Sequence, residues 1–546
     1  MPADAGAASG LETIMRILTA DAMREVDRSA IEGLGIPGLV LMENAALGVV
    51  DALGEAGGAI GSAESAAIFC GPGNNGGDGL AIARHLSVRG WGVQIFLATG
   101  GKELSGDAAA QLAICRKMDL PLRELATEDA AREALAEAAE SDLLVDALFG
   151  TGLSRPLSGL FAFLVEGINE LARPVVAVDL PSGLNGSRAE LMEPHVRADL
   201  TVTFAAPKVA HVLPPAASAV GELVVTDLGI PPRLIEEVAE PGGRLHLLVA
   251  EELAGWLPAR EDDAHKGDFG HVLLVAGSPG KAGAAILAAR TAVRAGAGLV
   301  TVAVPEPILN PVDLGSLESM TLGLPAGASG QLTAEAAGAV LAAAKGKAAV
   351  ALGPGLGQEP ETAAAIRRIV LAAEPPLVLD ADGINAFAGR AGELKGRKAP
   401  TVLTPHPGEL GRLLGMSAAE VQADRLAAVR RAAAETGAFV VLKGSRTLIG
   451  APDGEGNGDV WINPTGNPGM ASGGSGDVLT GLAAGLIAQR EAYGLEVRDA
   501  VLLAVYVHGL AGDLAVRRTG ENALAAGDLV DSLGAAFSRL AELAAS

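Results

Sequence analysis

Residues 467–481, Asn-Pro-Gly-Met-Ala-Ser-Gly-Gly-Ser-Gly-Asp-Val-Leu-Thr-Gly, put a glycine-rich turn directly before an apolar segment that reads as a helix. The first turn of a helix leaves backbone N–H groups without partners, and such groups hold anions. Asp477 stands beside them, an arrangement suited to chemistry between a phosphate and a hydroxyl. A second glycine-rich segment, residues 71–79 (Gly-Pro-Gly-Asn-Asn-Gly-Gly-Asp-Gly), lies far upstream. Two such segments, well separated, predict two domains with one active site each.

The chain has 546 residues, too many for one ordinary core, so two to four domains are expected. Hydrophobic residues make up 49% but aromatics only 3%, with 73 glycines, which favours small-residue packing in layered α/β domains. No uninterrupted apolar segment reads as long enough to cross a bilayer. The first ten residues lack the basic start and apolar core of a secretion signal, and Met15 is an alternative start. A net charge of −24 argues against a nucleic-acid surface. Cys70 and Cys115 form neither a metal cluster nor a disulfide framework, which fits a reducing, cytoplasmic setting. Cys70 ends an apolar run and reads as a buried filler.

In the first half, residues 16–58 read as helix, loop, helix, with Glu43 and Asn44 on the second helix. Strands are expected at 66–70, 93–97, 143–148, 175–179 and 200–204, with a helix over 79–89. Alternating strands and helices imply a mostly parallel sheet with a crevice at the strand C-terminal ends. The polar candidates fall at those ends: Asn74, Asn75, Gly76, Gly77 and Asp78 after one strand, Asp146 at the end of another, Asp179 at a third. Asp146 precedes Gly150, Thr151, Gly152, Leu153, Ser154, Arg155 and Pro156, a second flexible loop of phosphate size. Carboxylates at strand ends can share a hard cation, bind ribose hydroxyls or exchange protons, and each can also simply cap a helix. Gly71, Gly73 and Gly76 have dinucleotide-fingerprint spacing, but the intervening Asn-Asn and following Gly-Asp depart from a hydride-transfer domain.

Residues 71–79, 145–152 (Val-Asp-Ala-Leu-Phe-Gly-Thr-Gly) and 178–183 (Val-Asp-Leu-Pro-Ser-Gly) together resemble the NAD(P)H-hydrate epimerase family, over about residues 15–235. The resemblance implies a Rossmann-like three-layer domain that interconverts the R and S forms at C6 of the hydrated nicotinamide, without redox chemistry. It implies that Asn75, Asp146 and Ser182 help hold K+. Asn74 to Asp78, Gly150 to Pro156 and Asp179 would contact the substrate, with Asp179 the acid–base group.

Residues 236–255 read as a linker or boundary, with Pro231, Pro232 and the 241–243 Pro-Gly-Gly run around it. The same alternation then resumes, with strands expected at 271–276, 299–304, 348–352, 377–379, 402–403 and 439–442 and a small-residue helix over 282–295. His406 lies between two prolines, where a helix is not expected. Lys443 closes an apolar strand, and its charge needs water, a partner or phosphate. Asp380 and Asp382 cap turns or sit near a magnesium-bound phosphate. No Gly-x4-Gly-Lys-Ser/Thr loop and no protein-kinase motif set occurs. The residues alone point to an enzyme that joins a nucleotide phosphate to the reaction of a small hydroxylated molecule.

Residues 275–278, 296–300, 353–357, 404–409, 443–447 and above all 463–481 occur in one order and resemble the ADP-dependent NAD(P)H-hydrate dehydratase family, over about residues 256–540. The resemblance implies a ribokinase-like α/β domain. Ala285, Gly355, His406 and Asp477 would face the hydrated nucleotide, and Lys443, Gly444, Ser445, Arg446, Thr447 and Gly476 would hold ADP, with Mg2+ on its phosphates. The implied substrates are NADHX and NADPHX, repaired to NADH or NADPH with release of AMP and phosphate. Asp477 would activate the C6 hydroxyl. Homo-oligomerisation is expected of both domains, and neither nucleic-acid nor membrane partners are. The competing readings are an ATP-dependent kinase for a vitamin-like alcohol, with a ligand-sensing first domain, and a non-catalytic nucleotide-binding scaffold.

Overall fold

A computed structural model describes residues 15–240, 242–257, 259–454 and 456–545. The stretch before Met15, and Pro241 of the boundary region, lie outside them. The chain divides into two compact units, one of residues 16–240 and one from residue 241 onward.

The N-terminal unit is built on seven parallel strands: β1 (Ser65–Cys70), β2 (Gly92–Leu97), β3 (Leu122–Glu124), β4 (Leu143–Ala147), β5 (Val175–Val178), β6 (Leu200–Phe204) and β7 (Glu222–Thr226). They lie in the order β3-β2-β1-β4-β5-β6-β7, with Ala66 opposite Leu143 across the centre. The order in which strands are added reverses between β1 and β4, the switch point at which doubly wound sheets open a ligand crevice. Strand residues alternate between two buried faces, as the period of two requires. Ala66, Ile68 and Cys70 pack under the helices Ala20–Arg28, Gly38–Glu55 and Asn74–Val88. Ala67 and Phe69 pack under Glu128–Ala138 and Leu160–Glu170.

The expected glycine loop is shorter than the sequence suggests. The helix begins at Asn74, so Asn75 to Gly79 form its first turns. Glycines cost a helix roughly 1 kcal/mol each relative to alanine, which argues for a later start. Packing overrides that preference, because a Cβ at Gly76 would stand 2.0 Å from the Gly71 carbonyl oxygen and one at Gly77 3.0 Å from Ala108. Only bare backbone lets this helix terminus sit so close to the sheet. The short strands β3 and β7 escaped the sequence reading, being short or partly exposed and carrying charge (Leu-Arg-Glu; Glu222).

The second unit carries β8 (Leu245–Leu247), β9 (His271–Val275), β10 (Leu299–Pro305), β11 (Met320–Leu324), β12 (Ala349–Leu352), β13 (Leu377–Leu379), β14 (Thr401–Leu403), β15 (Phe439–Leu442), β16 (Leu448–Gly450) and β17 (Val460–Ile462). From β11 the order runs β11-β10-β9-β12-β13-β14-β15, all parallel, then β16, β17 and β8. β16 is antiparallel to both its neighbours. The order of winding reverses between β9 and β12, which sets a second switch point.

Helices Ala282–Arg294, Ser475–Tyr493, Val497–Thr519 and Ala526–Ala545 cover the face of Val272 and Leu274. Val497–Thr519 corrects one expectation: by length and composition it is apolar enough to cross a bilayer. Most of it (72% of its apolar window) is buried in this unit, where it forms core. His406 itself is extended, as its place between two prolines suggests, and a helix starts at Pro407 directly after it. Proline suits a first helical position, where its missing N–H would have no partner.

The helix that carries Asp477 approaches Ala282–Arg294 at Gly481, where an added Cβ would stand 2.2 Å from the Ala288 carbonyl oxygen. Gly481→Val therefore forces the helices apart, at a cost of about 1–3 kcal/mol. The expected result is a lower melting temperature in thermal unfolding; an unchanged one would contradict this packing.

Candidate active sites

In the N-terminal unit, Asp179 follows β5 in a left-handed backbone conformation (φ 64°) and is 8% exposed. Its Oδ1 accepts from Lys208 Nζ at 2.8 Å and from Thr203 Oγ1 at 3.0 Å. Its Oδ2 accepts from the Thr151 N–H at 3.3 Å. A Cβ at position 150 would stand 2.8 Å from that Oδ2 and 3.2 Å from Asn75 Oδ1, so both atoms converge on Gly150. Burial would raise the Asp179 carboxyl, but the Lys208 ammonium outweighs it and holds the group below its usual range.

Other carboxyls nearby behave in the opposite way. Burial pushes Asp78 well up, and Asp179 and Asp27 add to the effect. Asp27, on the helix Ala20–Arg28, rises to about 6, mainly through burial, with Lys208 opposing and Asp179 adding. The site thus sets an ionised Asp179 beside carboxyls that hold protons more tightly.

Asp146 is the penultimate residue of β4 and is fully buried. Its oxygens accept from Ser182 Oγ at 2.7 Å, Ser182 N at 2.8 Å and Leu148 N at 3.2 Å. Burial still pushes it to about 6 against these bonds. Asn75 is 9% exposed, and among the described residues neither its amide oxygen nor its amide nitrogen has a hydrogen-bond partner. Asn74 is exposed at the helix start, while Gly76, Gly77 and Asp78 are buried. Of the second loop, Gly150 and Thr151 adjoin Asp179; Leu153 packs on the neighbouring core, and Gly152, Ser154, Arg155 and Pro156 are exposed.

In the second unit the central carboxylate is Asp380, 1% exposed at the end of β13. Its Oδ1 accepts from Lys443 Nζ at 2.9 Å and Thr404 Oγ1 at 2.8 Å, and its Oδ2 from Thr480 Oγ1 at 2.9 Å. Lys443 also lies 3.8 Å from Glu409 Oε2. Burial would lower the Lys443 ammonium, and Asp380 and Glu409 overcome it, so the charge is held firmly. The partner that its sequence position demanded is a carboxylate.

Asp477 lies in the first turn of its helix. Burial, then the charge of Asp380, raise it to about 6, with Lys443 opposing. Gly476 keeps the space open, since a Cβ there would stand 3.2 Å from Lys443 Nζ. His406 caps Pro407–Leu414, its Nδ1 accepting from Gly408 N–H at 3.0 Å while Glu409 Oε2 accepts from the His406 N–H at 2.8 Å. Its ring is half-exposed. Gly444, Ser445, Arg446 and Thr447 form the turn between β15 and β16; Arg446 Nη1 is tied to the Pro464 carbonyl at 2.9 Å.

Ala285 and Gly355 sit at the β9/β12 switch point rather than against Lys443. Ser278 Oγ donates to the Gly355 carbonyl at 2.7 Å, and Ala285 is wholly buried beneath Gly277. Asp382 joins them through Gly357 N–H at 2.8 Å and Lys281 Nζ at 3.5 Å, and its carboxyl is held low: burial opposes, and Gln358 and the Gly357 N–H outweigh it.

Sequence reasoning missed Lys208, Thr203, Asp27, Thr480 and Lys281. Lys208 had a usable signal: it follows the apolar strand β6 within four residues, as Lys443 follows β15. Asp27 had none, because it joins the site from a helix distant in sequence.

Lys443→Met leaves Asp380 buried without its cation, at an expected cost of about 3–5 kcal/mol. Adding Asp380→Asn removes the stranded charge and recovers part of it. Denaturant titration of the three proteins checks this; a single variant as stable as the parent would contradict it.

A family model described as NAD(P)H-hydrate dehydratase matches residues 272–534, and one described as YjeF-related protein N-terminus matches residues 38–210. The bifunctional NAD(P)H-hydrate repair enzyme Nnr of Moorella thermoacetica is 44% identical over 519 residues, 95% of this chain and 96% of that one. The enzyme of the same name from Thermofilum pendens is 40% identical, over 97% of each. Among solved structures, an ADP/ATP-dependent NAD(P)H-hydrate dehydratase from Bacillus subtilis, co-crystallised with ATP/Mg2+, is 34% identical. It covers 55% of this chain and all of its own, with a TM-score of 0.47. The chain belongs to the family of bifunctional NAD(P)H-hydrate repair enzymes.

Proposed function

We propose that the N-terminal unit interconverts R and S NAD(P)HX and that the second unit dehydrates the S form with ADP, giving NAD(P)H, AMP and phosphate. The observation that carries the reading is one carboxylate at each crevice, Asp179 buried just after β5 and Asp477 in the first turn of Ser475–Tyr493, set in different protonation ranges. Inversion at C6 needs a bond there to break and re-form. A base takes the hydroxyl proton as the C6–N1 bond opens to an aldehyde, and an acid protonates the ring nitrogen. That nitrogen re-adds to the other face as both protons return. Asp179, held ionised, is the base, and Asp78 is the nearby group that burial keeps protonated.

For dehydration, hydroxide is a poor leaving group. Asp477 takes the C6 hydroxyl proton as that oxygen bonds to the β-phosphorus of ADP and AMP departs. The ring nitrogen's electron pair then expels phosphate, and loss of a proton from C5 restores the dihydropyridine. Lys443 to Thr447 and Gly476 contribute a cation and backbone N–H groups toward ADP, while Ala285, Gly355 and His406 shape the side toward the nicotinamide.

Asn75, Asp146 and Ser182 fit K+. All three offer hard oxygens, and among the described residues the buried Asn75 amide has no hydrogen-bond partner and Asp146 no counter-charge. When bound, K+ would supply positive charge near the glycine loop. Among the described residues no group of three or more His, Cys, Asp or Glu is placed to hold a metal. Mg2+ would be carried in on the phosphates of ADP with one or two carboxylates, and would neutralise charge there. A cytoplasmic location accords with two buried free cysteines. Self-association is supported by exposed Leu314, Leu317 and Met320 beside the edge strand β11.

The test follows resolved R and S epimers by chiral chromatography and reduced-cofactor absorbance, with ADP, Mg2+ and K+. S-form repair that requires ADP, and R-to-S conversion abolished by Asp179→Asn, are expected. Phosphorylation of an unrelated alcohol without repair would contradict the reading. The two activities should also part with pH. Asp477 accepts a proton only above about 6, so dehydration falls roughly tenfold from pH 7 to pH 5, while epimerisation through the low-set Asp179 persists. Parallel acid limbs would contradict these roles.

A further inference from the structure

We propose that Lys208 is a positioning residue for inversion at C6: with Thr203 it occupies one oxygen of Asp179 and leaves Oδ2 as the oxygen that works on substrate. The inference rests on the N-terminal unit being the epimerising one.

Lys208 is 1% exposed, and its ammonium has three acceptors: Asp179 Oδ1 at 2.8 Å, Thr203 Oγ1 at 2.8 Å and the Phe204 carbonyl at 3.1 Å. An ammonium has three protons, so none remains for a ligand. Thr203 passes the constraint on, accepting from Lys208 and donating to the same Oδ1 at 3.0 Å. Oδ1 therefore carries two donors. Oδ2 carries only the longer bond from Thr151 N–H, and it faces Gly150, where any side chain would intrude at 2.8 Å.

The lysine is itself fixed. His211 Nδ1 accepts the Lys208 N–H at 2.9 Å, and the ring is 3% exposed. Burial, then Lys208, lower this imidazole to about 3, so it stays neutral. Asp179 sits at φ 64°, a conformation that persists only when its surroundings enforce it, and these bonds supply the enforcement. The charged and titratable groups facing Asp179 are Lys208, His211, Asp27 and Asp78. Lys208 is the one cation among them that is held against its carboxylate.

The test uses the full chain and the R epimer. Lys208→Met is expected to lower the kcat of epimerisation about 100-fold with KM within about twofold, and to move the acid limb of the rate profile to higher pH. Thr203→Val keeps the lysine and is expected to lower kcat about tenfold. Lys208→Arg keeps the charge and is expected to restore the acid limb. ADP-dependent repair of the S epimer by each variant reports that the protein is otherwise sound. Epimerisation by Thr203→Val and Lys208→Met with parental kcat and acid limb would overturn the proposal; if Lys208→Met does not fold, an unchanged Thr203→Val suffices to do so. A parent chain that fails to epimerise would instead overturn the functional reading beneath it, a result separable because it appears before any substitution.

Discussion

A carboxylate held away from water stays charged only if something answers its charge. Both units meet this constraint with a lysine that closely follows a strand: the buried Lys208 for Asp179, the partly buried Lys443 for Asp380. Hydroxyls add further donors in each case, from Thr203 to Asp179 and from Thr404 and Thr480 to Asp380. The pairs differ in what they leave free. Lys208 holds the proposed reacting carboxylate itself. Lys443 holds Asp380, whose charge adds to burial in raising the separate Asp477. The result is a low-set carboxyl in one unit and a carboxyl near 6 in the other.

The sheets explain why these groups meet. In each sheet the order of winding reverses once, between β1 and β4 and between β9 and β12, and the strand ends there open a crevice. Glycines let a helix terminus enter it: Asn74–Val88 in the first unit, Ser475–Tyr493 in the second. The N–H groups of these termini lie beside carboxylates, so each crevice can take an anionic nucleotide and still present a base to a hydroxyl. Opposite demands are thereby placed within one site.

Much of this was legible in the sequence because parallel strands buried on both faces read as short apolar runs. The runs at 200–204, 377–379 and 439–442 coincide with β6, β13 and β15. Strands β3 and β7 did not announce themselves, and the helix at Asn74 starts earlier than glycine propensity suggests, because tertiary packing sets it. Asp179 and Asp477 were visible as acids beside glycines. Their differing protonation was not, since it depends on Lys208, Asp27 and Asp380, brought in from distant segments.

The central claim is that two separate carboxylate sites act in sequence on one released metabolite. Mixing the Asp179→Asn and Asp477→Asn proteins, each with one site intact, tests it most directly. With resolved R epimer, ADP, Mg2+ and K+, neither protein alone should yield NAD(P)H above the spontaneous rate, and the mixture should. A mixture as inactive as its parts, or a single variant that repairs the R epimer unaided, would contradict the account.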